Sequence, residues 1–128
     1  MEWKLGQNNP IQAREYFERK MTFTLGPIEV KYYLDQGEPL NLIDVRSADE
    51  FAKGHVPGAI SLPESDWDSL RGLRMDRPNI IYCYSVVCHL AAKAAIHFAA
   101  KGFSVMEMDG GYDYWKKYEL AEERSEAA

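Results

Sequence analysis

Hydrophobic residues along this chain fall into short runs separated by turn formers, and their spacing alternates between two kinds of element. Leu40 to Val45 and Asn79 to Tyr82 are continuous apolar runs of strand length, the second opening behind the breaker Pro78, so both read as strands buried on both faces. Ala59 to Leu62 is a shorter strand between turns, and Ser104 to Met108 has strand character. Between them lie helical segments. Asn8-Asn9-Pro10 is a helix start, an asparagine cap followed by proline in the first helical position, leading into Ile11 to Lys20. Ile28 to Leu34 is a second helix ended by Gly37, and Ser47 caps a third through Lys53, with Glu50 three residues on as a capping box requires. Pro63 to Leu70 is a short helix, and Val87 to Ala100 is an alanine-rich one closed by Gly102. The six alanines at 91, 92, 94, 95, 99 and 100 allow it to lie close to a sheet. The order strand, helix, strand, helix predicts an α/β fold with a mostly parallel central sheet and helices on both faces, which places ligands at the carboxyl ends of the strands.

No internal repeat is present. The segments divide into an N-terminal helical extension (1–20), one domain (21–118) and a charged, alanine-rich tail (119–128) read as a frayed helix or tail. With 128 residues, 46% hydrophobic and 27% charged, the chain has material for one core and not for two. The net charge of −5 excludes a nucleic-acid partner of the usual basic kind. Met1-Glu2-Trp3-Lys4 lacks the apolar segment of a secretory signal, and no apolar stretch nears the roughly 20 residues that cross a bilayer, so no membrane partner and a cytoplasmic location are expected. Two cysteines five positions apart cannot form the disulfide framework of a secreted domain, whereas a reducing compartment keeps both as thiols.

Those two thiols carry the candidate chemistry. The apolar strand ends on Cys83, and the loop Tyr84-Ser85-Val86-Val87-Cys88-His89 leads straight into the alanine-rich helix. Unpaired N–H groups at a helix start carry positive partial charge, so a sulfur facing them is expected as a thiolate. Cys83 is the candidate nucleophile, and the six loop residues are the candidate substrate-binding loop. The plain alternative is a buried strand-end cysteine.

Leu42-Ile43-Asp44-Val45-Arg46, the stretch Glu50-Phe51-Ala52-Lys53-Gly54-His55-Val56-Pro57-Gly58-Ala59-Ile60, the cysteine loop, and Gly110-Gly111 with Trp115 together resemble the motifs of the rhodanese (sulfurtransferase) family, in the same order, from about Leu25 to Tyr118. The resemblance implies a rhodanese-like fold and a Cys83 that takes a sulfane sulfur, becomes a persulfide and passes the outer sulfur to a thiol-type acceptor or cyanide. It implies no cofactor, and as partner a small sulfur donor or a persulfide-carrying protein. Asp44 and Arg46 are implied to support the architecture, and independently a buried acid needs a partner.

The loop departs from the family in one respect. Many active members have a small residue three positions after the nucleophile and an arginine five positions after it; here these are Val86 and Cys88. Without the planar fork of arginine donors, thiosulfate loses its oxyanion clamp. Phosphatases with a similar loop use an arginine six positions on, where this chain has His89, so phosphate-ester hydrolysis is weaker still. Cys88 is either a small residue of the first helical turn or a second chemical group, a thiol able to attack a Cys83 persulfide and leave a disulfide. Cys83, Cys88 and His89 fall short of a zinc set, because His55 and His97 lie in a distant turn and two helical turns onward; no metal is expected. His97 reads as a helix-surface residue, and His55 as tying the Gly54 to Gly58 turn. Among the aromatics only Tyr84 has a positional reason to touch a ligand. Two functions follow: a sulfurtransferase working through Cys83, or a rhodanese-like binding, regulatory or redox-sensing module using Cys83 and Cys88. Oligomeric state is not readable.

Overall fold

The computed structural model describes residues 8–125. Five strands form one all-parallel sheet: β1 (Thr24–Leu25), β2 (Asn41–Asp44), β3 (Ile60–Ser61), β4 (Asn79–Tyr82) and β5 (Val105–Met108), in spatial order β1-β5-β4-β2-β3. The helices are α1 (Pro10–Phe23), α2 (Pro27–Asp35), α3 (Ala48–Lys53), α4 (Leu90–Ala99) and α5 (Gly111–Lys117), with a 3-10 helix over Glu64–Ser69. The α/β architecture expected from the alternation is therefore present. Among the described residues, no helix is long and apolar enough to cross a membrane.

Strand periodicity sorts the core into two layers. Successive side chains of a strand point to opposite faces. Leu42, Ile80, Tyr82 and Met108 accordingly meet Val30, Tyr112 and Trp115 on one side, while Ile43, Val45, Ile81 and Cys83 meet Trp67, Ala91, Ala94 and Phe98 on the other. Odd-numbered residues of β4 thus face α4, which decides where the Cys83 sulfur goes. Parallel pairing keeps β2, β4 and β5 in step, with Ile43 opposite Ile81 and Ile81 opposite Glu107, so the three strands end together.

Several local expectations hold. Asn9 Oδ1 accepts from the N–H groups of Ile11 (2.9 Å) and Gln12 (3.4 Å), and the helix runs three residues beyond Lys20. Ser47 Oγ accepts from Glu50 N at 3.2 Å. The Glu50 carboxylate instead faces Lys53 Nζ at 3.5 Å. Of the six alanines in the helical stretch, Ala91 and Ala94 are buried and Ala95 partly so, while Ala92, Ala99 and Ala100 face solvent.

The short helix expected between Pro63 and Leu70 is present as the 3-10 helix Glu64–Ser69, ended by Leu70 in the left-handed region. Three expectations are corrected. The alanine-rich helix starts at Leu90 rather than Val87, because Cys88 N donates to Ser85 O (3.1 Å) and closes a turn that cannot continue as helix. His97 is half-buried rather than a surface residue, packed beside Trp67 and 3.1 Å from an Asp68 carboxylate oxygen. The tail is no frayed helix through Ser125: His55 and Glu123 form an antiparallel bridge, Trp115 Nε1 donates to Ala121 O at 2.9 Å, and Tyr112 Oη donates to the Glu122 carboxylate. Residues 126–128 of that tail, and 1–7 of the N-terminal extension, lie outside the described residues.

Candidate active site

Two neighbouring strands deliver their functional groups to one end of the sheet. At the end of β2, Asp44 is fully buried and accepts from Arg46 at Nε (3.1 Å), Nη2 (2.8 Å) and the backbone N (2.9 Å). Arg46 is also buried, donates through Nη2 to Gly54 O at 2.6 Å, and lies 4.0 Å from the centre of the Tyr112 ring. This pair ties β2 to the turn after α3. His55 holds the same turn: its Nδ1 is 2.8 Å from Phe51 O and its ring stacks on Phe51.

At the end of β4, Cys83 is 2% exposed. Its carbonyl accepts from Tyr112 N (2.9 Å) and that of Tyr84 from Asp113 N (2.9 Å), so the unpaired N–H groups opening α5 anchor the start of the cysteine loop. Gly111 makes this approach fit. It has φ +62°, and a Cβ there would sit 2.7 Å from Cys83 O and 3.0 Å from Ser85 N. Gly111, the second of the glycine pair seen in the sequence, is thus a contact surface for the loop.

The two thiols line one side of the same cavity. Cys83 Sγ donates to Cys88 O at 3.6 Å, while Leu90 N donates to Cys88 Sγ at 3.5 Å. Further loop and helix N–H groups point inward, those of Ala91 and Ser85 at Cys83 and that of Tyr84 at Cys88. Burial, reinforced by the Cys88 sulfur, pushes the Cys83 thiol up to about 11. Partial burial opposes ionisation of Cys88 too, but the hydrogen bonds from Cys83, Leu90 and Tyr84 outweigh it and hold that thiol below its ordinary value. These directions run against the thiolate expected at Cys83: the strand end is buried, while the first N–H of α4 reaches the Cys88 sulfur.

A cavity of about 50 Å³ opens between the loop and β5, lined by Cys83, Ser85, Val86 and Cys88 on one side and by Glu107, Asp109 and Gly111 among others on the opposite side. Of the predicted loop, Tyr84, Val87 and His89 do not line it. Tyr84 instead accepts from Ser47 N at its hydroxyl (3.1 Å) and faces a separate polar cleft of about 450 Å³ that includes Arg46, Lys53 and Lys116. Val87 is 82% exposed and His89 is also exposed. Glu107 was not foreseen. Burial raises its pKa first, Asp109 adds to the rise, and His89 opposes it. The available signal was an acid inside the otherwise apolar run Val105-Met106-Glu107-Met108, whose period of two sets it on the Cys83 face. Among the described residues, no group of three His, Cys, Asp or Glu side chains gathers as a metal site.

Residues 27–118 match the model of the Rhodanese-like domain. The chain belongs to the rhodanese-like family. It is 35% identical over 104 residues to the thiosulfate sulfurtransferase GlpE of Pseudomonas putida, covering 80% of this chain and 93% of that protein. It is 38% identical over 98 residues to a probable adenylyltransferase/sulfurtransferase, MoeZ, of Mycobacterium tuberculosis, covering 73% of this chain and 24% of that longer protein. A Bacillus halodurans protein of solved structure superposes with TM-score 0.83 at 32% identity, covering 91% of this chain and 87% of that one. A rhodanese-like domain protein from Staphylococcus aureus gives TM-score 0.65 at 26% identity over 73% of this chain and 90% of that chain. Two acids line the cavity of this site, and Cys88 stands five positions after Cys83.

Proposed function

We propose that this protein is a sulfurtransferase in which Cys83 carries the sulfane sulfur as a persulfide. The observation that carries the reading is Cys83 itself, at the carboxyl end of a central parallel strand, in a small cavity rimmed by inward N–H groups, in a chain of the rhodanese-like family. Such N–H groups stabilise the outer sulfur of a persulfide anion without bringing a competing charge. A donor persulfide reacts with the pair in its singly charged state. Cys83 attacks the outer sulfur, its proton passes to Cys88, and the donor leaves as a thiolate. An acceptor thiol or cyanide then removes the sulfur.

Charge selects the donor. Glu107 and Asp109 line the cavity, and Coulomb repulsion of a dianion in a partly desolvated site is large. Thiosulfate is therefore disfavoured against the singly charged persulfide of a small thiol or protein, in contrast to the activity named for GlpE. A reducing, cytoplasmic compartment suits two free thiols.

The test is intact mass after separate exposure of the reduced protein and Cys83→Ser to thiosulfate and cysteine persulfide. Sulfur uptake that depends on Cys83, from the persulfide more than from thiosulfate, is the expected result. Uptake by neither protein from either donor rejects the proposal. It would favour the second reading, a binding or redox-sensing module, whose supporting observation is the exposure of Val86 and Val87 on the loop.

A further inference from the structure

The proposed transfer uses one sulfur nucleophile, yet the structure puts a second thiol against it. Both cysteines line the same cavity, the Cys83 thiol points at Cys88, and the turn from Ser85 O to Cys88 N holds the loop closed around the two. Nothing in the packing needs a thiol at 88: its side chain is only partly buried at the edge of the layer that contains Ala91 and Phe98. The Leu90 N–H directed at its sulfur marks it as the more anionic of the pair.

We propose that Cys88 is a second catalytic residue that resolves the Cys83 persulfide by attacking Cys83 Sγ, forming a Cys83–Cys88 disulfide and expelling the carried sulfur as hydrosulfide. This deepens the sulfurtransferase reading and rests on it. In the step, the Cys88 thiolate supplies the electron pair for the new Sγ–Sγ bond, and the bond from Cys83 Sγ to the outer sulfur breaks. The proton that Cys88 took up during loading passes to the outer sulfur, which makes Cys88 the thiolate again and lets that sulfur leave as HS⁻. Two cysteine sulfurs are oxidised from thiol to disulfide level while the sulfane sulfur is reduced to sulfide. A dithiol reductant, itself closing to a disulfide, returns both cysteines to thiols.

Leaving-group chemistry favours attack on this sulfur over attack on the outer one. Attack on the outer sulfur would move it to Cys88 and strand a thiolate at the buried end of β4, where burial disfavours the anion. Hydrosulfide is the weaker base, and the weaker base leaves faster. Glu107 and Asp109 then repel the departing anion from the cavity. The site becomes a device for releasing sulfide from sulfane sulfur, with the loop as its redox element.

The experiment treats reduced wild type, Cys88→Ser and Cys83→Ser with inorganic polysulfide and reads intact mass together with released sulfide. Cys88→Ser is expected to gain about 32 Da as a stable persulfide. Wild type should end about 2 Da lighter than its reduced form and release about one equivalent more hydrosulfide than Cys88→Ser. Wild type that holds the added sulfur as stably as Cys88→Ser overturns the inference and leaves the Cys83 sulfurtransferase standing. Uptake by Cys83→Ser but not by Cys88→Ser overturns both, as does absence of uptake by all three proteins.

Discussion

The ends of β2 and β4 lie side by side, in register, on the same edge of the sheet, and they are built in opposite ways. At β2 a buried acid meets a buried arginine, the arginine finds a carbonyl and an aromatic face, and the charges are closed off from water. At β4 a buried thiol meets a second thiol, two carboxylates line the gap, and a cavity of about 50 Å³ remains. Satisfied buried polar groups make a rigid brace. Groups left short of a partner make a site whose reactivity is available. The difference separates architecture from chemistry on adjacent strands whose apolar sequences look alike.

The largest effect should come from breaking the brace. Asp44→Ala leaves the Arg46 guanidinium buried and unpaired and should cost about 3–5 kcal/mol, read by urea denaturation. Retention of wild-type stability would show that the two ends are not divided in this way. Gly111→Ala joins the two ends, since α5 supports the loop: the left-handed backbone and the contact with Cys83 O should cost about 2 kcal/mol or more. It should also slow sulfur loading beyond what the lost stability explains, and an unchanged loading rate in the folded variant would remove Gly111 from the site.

The pH dependence of alkylation sharpens the contrast within the loop. A thiol reacts as its thiolate, so reactivity rises with pH through each group's own pKa. Cys88, held below the ordinary value, ionises first, and Cys83, near 11, ionises last. Two pKa units cut the thiolate fraction about a hundredfold, while the greater nucleophilicity of the more basic sulfur recovers about half of that on a logarithmic scale. Peptide mapping after iodoacetamide at pH 7 should find Cys88 modified about tenfold faster than Cys83, with the gap narrowing toward pH 11; preferential labelling of Cys83 would reverse the charge assignment. The smallest effect concerns the cavity wall. Glu107→Gln removes one repulsive charge and should raise loading from thiosulfate by about threefold to tenfold, with a smaller change for the singly charged cysteine persulfide. An equal change for both donors would mean that the acid does not select by charge.

Legibility in the sequence followed the range of the interaction involved. Local signals were readable: the Asn9 cap, the Ser47 half of its box, and the bounds of β4 from Pro78 to Cys83 match the structure because each rests on groups a few residues apart. β1 was missed, since Thr24-Leu25 is too short to show a period and is a strand only by pairing with Glu107 and Met108. The start of α4 was misplaced because Val87 and Cys88 have adequate helix propensity, and the turn bond to Ser85 O decides otherwise. The tail lacked an apolar stripe, and its anchoring depends on hydrogen bonds of particular groups, to Trp115 and Tyr112 a few turns earlier and to His55 far back in the chain.

By itself, the sequence determined the alternation that makes a parallel α/β sheet, the cysteine at a strand end, and the absence of the loop arginine. These are properties of residue type and spacing. Only the tertiary structure decided which thiol bears the charge, because that turns on how deeply each sulfur is buried and which N–H groups reach it. The structure likewise brought Glu107 and Asp109 to the cavity, since strand pairing sets β5 beside β4 across more than 20 residues of chain and no local pattern encodes that distance.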